Sequence, residues 1–197
     1  MLAPEIWPLL GERFRLPEFS LTTRDLGDFD ELMRRRVEAA RRADLSLRDL
    51  QSVAHAVEPY IGAREFIVRL RAMGNVLIIS DTFHEFSNPL AEKLGGVNLF
   101  ANQFEQDERG RVSGFKLRIR GKKERIVSGF KSAGFAVAAM GDSLNDLSLL
   151  KSCDFPVLYR PVASLVEQFP GAPVVQHLDD ALALMEAARR KLDEGGR

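Results

Sequence analysis

The sequence predicts an α/β fold: a parallel sheet with helices on both faces, preceded by a small helical subdomain. Three observations carry that prediction. From about residue 63 onward, short apolar runs alternate with amphipathic helices, the pattern of parallel strands joined by crossover helices. Residues 17–56 are instead polar-rich and helical in texture, with no strand pattern. With 197 residues, 45% hydrophobic and 28% charged, the chain can bury one good-sized core and carry a smaller attached subdomain.

Within residues 17–56, Thr22 or Thr23 can cap a helix, Asp25, Asp28 and Asp30 come early and the arginines follow, as the helix dipole prefers. After Pro59 and Gly62, a helix is expected over 63–73, closed by Gly74. Val76-Leu77-Ile78-Ile79 is the first strand, and Ser80-Asp81-Thr82 leads from it into a helix over 83–94. Residues 102–106 and 111–118 flank Asp107-Glu108-Arg109-Gly110 and read as a hairpin with a glycine in its loop. A helix over 122–133, ended by Gly134, precedes the second strand, 135–140. Gly141-Asp142 then opens a helix from about residue 145 to 151. Shorter strands are expected at 155–158 and 174–175, and a last helix at 178–192 before a polar tail, 193–197, that frays.

Composition narrows the partners. Lys+Arg and Asp+Glu both count 28, so no global field recruits nucleic acid or anionic lipid, and any anion binding must be local. The lone Cys153 excludes an intramolecular disulfide and a cysteine-based zinc cluster, which fits a reducing, cytoplasmic location. The first ten residues lack a basic segment and hold Glu5, unlike a signal peptide, and no apolar run approaches the ~20 residues of a membrane span.

In parallel α/β sheets, ligands bind beyond the carboxyl ends of the strands. Both main strands end there in hydroxyl and carboxylate groups, Ser80-Asp81 and Asp142-Ser143. Gly141-Asp142-Ser143-Leu144-Asn145-Asp146 crowds two carboxylates and an amide into one strand-to-helix turn, where oxygens could hold a hard cation and leave positions open for a phosphate. Helix capping accounts for one of these polar groups but not for all of them.

Arg36 is a second, independent signal. At roughly 100° per residue, Phe29, Leu32, Met33, Val37 and Ala40 form one apolar stripe that contains Arg36, whereas Arg34 and Arg35 point away. An inward guanidinium needs an anionic partner, and its fork suits a carboxylate or phosphate. A structural pair with a nearby acid, or a stem that snorkels past the stripe, accounts for the pattern equally well. Lys122 and Lys123 open a helix against its dipole, at a cost of about 0.3–1 kcal/mol. A bound phosphate would offset that cost, and Lys123, on the side of Ile126 and Phe130, is the better placed of the two. Two exposed lysines are the commoner outcome at such positions. The Ser80 hydroxyl, at a strand end before a helix, suits either an anion or ordinary N-capping.

Taken in order, Ser80 after an apolar strand, Lys123 at a helix start and the 141–146 turn resemble the second, third and fourth motifs of the haloacid dehalogenase superfamily. The helical insert before the Ser80 strand resembles the small cap of phosphoserine phosphatases. Pro4-Glu5-Ile6-Trp7, Thr23-Arg24-Asp25 and Ser80-Asp81-Thr82-Phe83 resemble most closely the bacterial phosphoserine phosphatase/homoserine phosphotransferase subgroup. The resemblance implies a Rossmann-like phosphatase core formed by residues 63–197 with 1–7, and a cap formed by 8–62.

It also implies an Mg2+-dependent phosphatase, cytoplasmic and part of serine biosynthesis, that acts on O-phospho-L-serine through an aspartyl-phosphate and also transfers phosphate to homoserine. Asp142 would bind the metal, with Asp146 supporting it from behind. Ser80 and Lys123 would hold the phosphoryl group and screen charge in the transition state. Glu5 would meet the substrate ammonium and Arg36 its carboxylate, while Asp81 and Asn145 line the same pocket. The partner implied is a small phosphorylated amino acid, with neither nucleic acid nor membrane, and a homodimer is the assembly to test.

The sequence departs from the family at its start. Members open with an apolar strand followed by Asp-x-Asp/Glu-Gly-Val, which supplies nucleophile and proton donor, and here Met1 falls at that valine. Both catalytic acids are therefore expected upstream of Met1, the first core strand is expected to be missing, and the 197-residue chain is expected to fold poorly and be inactive. The alternatives are an inactive relative that binds a phosphorylated small molecule, or a phosphatase for another small phosphate ester.

Overall fold

The computed structural model describes residues 2–195. Packing divides the chain into two units, one built from Leu2–Tyr60 with Leu77–Arg118, the other from Ile61–Val76 with the chain from Ile119 onward.

In the first unit, α1 (Ile6–Phe14), α2 (Pro17–Ser20), α3 (Thr23–Leu26), α4 (Phe29–Arg42) and α5 (Leu47–Ala56) precede β1 (Leu77–Phe83), α7 (His84–Lys93), β2 (Asn98–Gln106) and β3 (Val112–Lys116). Between its two segments the chain runs through α6 (Ala63–Arg71) of the second unit. The local chemistry explains the longest of these helices, α4. The Asp28 carboxylate accepts a hydrogen bond from the Asp30 backbone N–H at 2.9 Å and caps its start, acids fill the first turn, and Arg41 and Arg42 fill the last. Leu32, Met33, Arg36, Val37 and Ala40 are buried, as the periodicity predicts; Ala39 joins them, and Phe29 is half-buried. Arg34 and Arg35 stay outside and pair with Glu31 at 3.3 and 2.9 Å. A reciprocal capping box between Ser46 and Asp49 starts α5.

β1 runs on through Ser80-Asp81-Thr82 to Phe83, past the end that the sequence predicts, and α7 starts only at His84. The ladder explains the extension. β1 pairs parallel with β2 from Leu77↔Asn98 to Ile79↔Phe100 and again at Phe83↔Asn102, and a register shift between Ile79 and Phe83 absorbs the polar triplet as a bulge. β2 starts before the predicted residue 102 because its first half serves this parallel ladder and its second half pairs antiparallel with β3. The 107–110 loop turns there on Gly110, whose φ of 75° suits glycine. The core gathers Leu10, Met33, Val37, Leu50, Phe83, Phe86 and Phe104. Trp7 packs edge-on to Phe19 and Phe86, each at 5.4 Å between ring centroids, and Phe83 stacks on Phe104 at 4.0 Å.

The second unit contains α6, α8 (Lys123–Ser132), β4 (Ala138–Gly141), α9 (Leu147–Ser152), β5 (Phe155–Tyr159), α10 (Ala163–Gln168), β6 (Val174–Val175) and α11 (Leu178–Gly195). Its sheet, ordered β4-β5-β6, is parallel throughout. β4 is shorter than the expected 135–140. Phe135 is 56% exposed and leans on Phe130, and Val137 exchanges hydrogen bonds with Asp154, its N–H donating to the carboxylate at 2.9 Å and its carbonyl accepting from the backbone N–H at 2.8 Å. The shorter strands fall where the sequence predicts them. α11 continues through residues 193–195, where fraying is expected, and Gly196 and Arg197 lie outside the described residues. The architecture is thus α/β with a parallel sheet and helices. Among the described residues, no helix is long and apolar enough to cross a membrane.

Candidate active site

The 141–146 turn is tied together by its own polar groups. β4 ends at Gly141, and a short 3-10 turn, Leu144–Asp146, leads into α9. Asp146 folds back beneath the strand end, where its Oδ2 accepts from the backbone N–H groups of Asp142 at 3.2 Å and Ser143 at 3.4 Å and from the Ser143 hydroxyl at 3.4 Å. Glycine at 141 makes this possible, since a Cβ there would lie 2.6 Å from the Asp146 Cβ. The other Asp146 oxygen takes the Lys123 ammonium at 2.8 Å, in a pair whose side chains are 6% and 13% exposed.

Lys123 therefore lies inward at the start of α8, while Lys122 stays exposed. The anion that offsets the dipole cost of Lys123 is Asp146; the sequence alone offered a phosphate for that place. Asp142 is half-buried beside this pair. Burial pushes its carboxyl above the usual range, and the neighbouring Asp146 carboxylate adds to the rise. Asn145 stands exposed on the 3-10 turn.

In the first unit, Arg36 is 6% exposed, and its environment separates the readings that the stripe left open. No acid pairs with it within ion-pair distance among the described residues. One terminal nitrogen, Nη2, donates to the backbone carbonyls of Leu21 at 2.6 Å and Phe19 at 3.4 Å, and Nη1 reaches the Met33 sulfur at 3.9 Å. The guanidinium carbon lies 4.0 Å from the centroid of the Trp7 ring. The Nε donor is buried with no hydrogen-bond partner. Burial draws the guanidinium down to about 10, against the opposing charge of Glu5. Glu5 is exposed in the cap position of α1, and its side chain caps nothing. An orphaned buried donor costs about 1–3 kcal/mol, so this arrangement is primed for an acceptor.

Ser80 and Asp81 lie in the bulge of β1. The Ser80 hydroxyl accepts from the Thr82 backbone N–H at 3.3 Å. The Asp81 carbonyl accepts from the Asn102 amide at 2.7 Å, and the Asn102 Oδ1 in turn accepts from the Arg118 N–H at 2.8 Å. The structure thus brings together Lys123, Asp142 and Asp146 in one unit and Ser80 with Asp81 in the other, where Glu5 acts on Arg36 through charge. Asn102, fully buried, and Trp7, beneath the guanidinium, are further residues that the sequence reading did not assign. Asn102 left a signal, an amide inside a predicted strand, where asparagine is disfavoured; Trp7 left none beyond its place beside Glu5.

For a metal, the described residues contain no group of three or more His, Cys, Asp or Glu side chains able to hold an ion. Magnesium does not require one, because it keeps several waters and commonly takes one or two carboxylates plus substrate phosphate oxygens. Asp142, half-buried with Asp146 pinned behind it, fits that mode.

The comparisons with known proteins agree with this chemistry. The family model for haloacid dehalogenase-like hydrolases matches residues 2–151. Phosphoserine phosphatase ThrH of Pseudomonas aeruginosa is 37% identical over 180 residues, covering 91% of this chain and 88% of that protein. A phosphoserine phosphatase of Pseudomonas syringae pv. tomato is 36% identical over 193 residues, covering 98% and 81%. Among solved structures, a substrate-bound phosphoserine phosphatase complex superposes with a TM-score of 0.73 at 22% identity, covering 93% of this chain and 92% of that one. A phosphoserine phosphatase from T. onnurineus gives 0.66 at 22%, covering 91% and 86%, and at such identities the likeness shows the fold. On the family match and the two Pseudomonas relatives, the chain belongs to the haloacid dehalogenase-like hydrolases, among the phosphatases of the phosphoserine phosphatase type.

Proposed function

We propose that this protein binds O-phospho-L-serine and is built for its magnesium-dependent hydrolysis to serine and phosphate. The observation that carries the choice of substrate is Arg36: a buried guanidinium whose Nε lacks a partner is suited to a carboxylate, the group that distinguishes phosphoserine from a generic phosphate ester. The names of the two Pseudomonas relatives support the same substrate.

In this reading Glu5 meets the substrate ammonium and Arg36 its carboxylate, while Ser80, Asp81, Lys123 and Asn145 face the phosphate end. Lys123, held by Asp146, contributes positive charge that need not reorganise as negative charge develops on the phosphoryl oxygens. Asp142 would hold Mg2+, which when bound offsets phosphate charge and aligns an oxygen for in-line attack. Asp146 keeps the turn that aims Asp142 in place. The family reaction proceeds through an aspartyl-phosphate, which water then hydrolyses. Phosphate transfer to homoserine would use the same intermediate, with a second hydroxyl replacing water. Residues 8–62 would act as the cap, and the protein would work in the cytoplasm.

Calorimetric titration tests the substrate, because binding needs only groups within the chain. With Mg2+ present, O-phospho-L-serine should bind at one site, and Arg36→Ala and Lys123→Ala should each weaken it at least about tenfold, the loss expected when a charge-assisted hydrogen bond is removed. Equal affinity in wild type and Arg36→Ala would overturn the assignment of phosphoserine.

A further inference from the structure

We infer that Trp7 is the positioning residue that gives Arg36 its selectivity for a carboxylate, an inference that rests on the proposed binding of phosphoserine. An arginine has long, flexible torsions, and a clamp works only if its fork is fixed before the ligand arrives. Four contacts fix this one. The carbonyls of Leu21 and Phe19 hold Nη2, the Met33 sulfur lies near Nη1, and the Trp7 ring covers one face of the guanidinium at 4.0 Å.

Those contacts consume one end of the fork and one of its faces, leaving the Nε edge as the donor without a partner. Trp7 is itself immobilised, edge-on to Phe19, Phe83, Phe86 and Phe104 at centroid separations of 5.4, 6.4, 5.4 and 6.2 Å. The indole is thus a rigid floor under the cation, and its π-face attracts that cation most strongly where water is excluded. Loss of the floor would free Arg36 to turn away from the substrate carboxylate, and the phosphate end of the substrate would be unaffected.

The test uses two phosphate esters that differ only in a carboxylate, O-phospho-L-serine and O-phosphoethanolamine, titrated calorimetrically with Mg2+ into wild type, Trp7→Phe, Trp7→Leu and Arg36→Ala. The readout is the ratio of the two affinities, which general loosening of the fold does not move. Wild type should favour phosphoserine at least about tenfold, and Arg36→Ala should bring the ratio close to one. Trp7→Leu should lower the ratio by roughly 5-fold or more, the loss of a desolvated cation–π contact, without passing below the Arg36→Ala value, and Trp7→Phe should recover part of it.

Because Trp7 is the only tryptophan in the chain, wild-type fluorescence gives a second measurement that needs no variant. Its emission should change on saturation with phosphoserine and stay constant with phosphoethanolamine. If Arg36→Ala leaves the ratio at its wild-type value, the phosphoserine reading fails. If Arg36→Ala abolishes the ratio while Trp7→Leu keeps it, or if the indole emission ignores phosphoserine, the role of Trp7 fails and the phosphoserine reading stands.

Discussion

Lys123→Met removes one partner from the most deeply buried ion pair among the described residues, and its cost can be worked from the geometry. The ammonium lies 2.8 Å from Asp146 Oδ1, with the two side chains 6% and 13% exposed, so solvent screens the pair little. Methionine fills similar volume, which keeps the cavity term small, but leaves one Asp146 oxygen buried without its cation. Breaking a buried pair in this way costs about 3–5 kcal/mol. With a urea slope of about 2 kcal/mol/M, the unfolding midpoint should fall by roughly 1.5–2.5 M.

Lys123→Arg, which keeps the charge, should recover part of this loss. Asp146→Ala should cost as much again, because it also releases the Asp142 and Ser143 N–H groups. The Lys123→Met/Asp146→Ala double variant should then be about 2 kcal/mol more stable than the sum of the singles predicts. Costs below about 1 kcal/mol that add without coupling would refute the view that this pair holds the turn.

Gly141→Ala should destabilise by about 1–3 kcal/mol, since its Cβ would meet the Asp146 Cβ at 2.6 Å, and amide exchange at Asp142 and Ser143 should accelerate with it. Arg36→Met should change stability by less than about 1 kcal/mol, because losing an orphaned donor offsets losing the bonds to Leu21 and Phe19, yet it should abolish the preference for phosphoserine in a binding assay. A large stability loss would mean that Arg36 is structural. The Ser46 hydroxyl lowers the Asp49 carboxyl and Lys131 lowers that of Asp154, so both contribute stability that is complete above the ordinary carboxylate range and lost as the pH falls through their lowered values. Urea midpoints should therefore drop below about pH 4, and less steeply in Ser46→Ala.

Much of this structure was legible because hydrophobic period and function coincide. The stripe on α4 places Arg36 inside without reference to any homologue, and the crowding of polar groups at 141–146 marks the turn that Asp146 pins. Boundaries were less legible. Ser80-Asp81-Thr82 reads as a turn, and only the parallel ladder with β2 draws it into a bulged strand. Phe135 to Val137 reads as a strand because an apolar run carries no information about ladder partners, and the Asp154 carboxylate takes the Val137 N–H. α10, of six residues, is too short for its apolar residues to show a period. The partners of Lys123 and Arg36 lie beyond local pattern: Asp146 is distant in sequence, and Trp7 reaches Arg36 only through tertiary packing.

Phosphate release from O-phospho-L-serine in the presence of Mg2+ tests the account most directly, with p-nitrophenyl phosphate as the generic ester. Turnover of phosphoserine in preference to the generic ester is expected, and Arg36→Ala should remove that preference. No phosphate release, or equal hydrolysis of both esters, would contradict the phosphoserine reading.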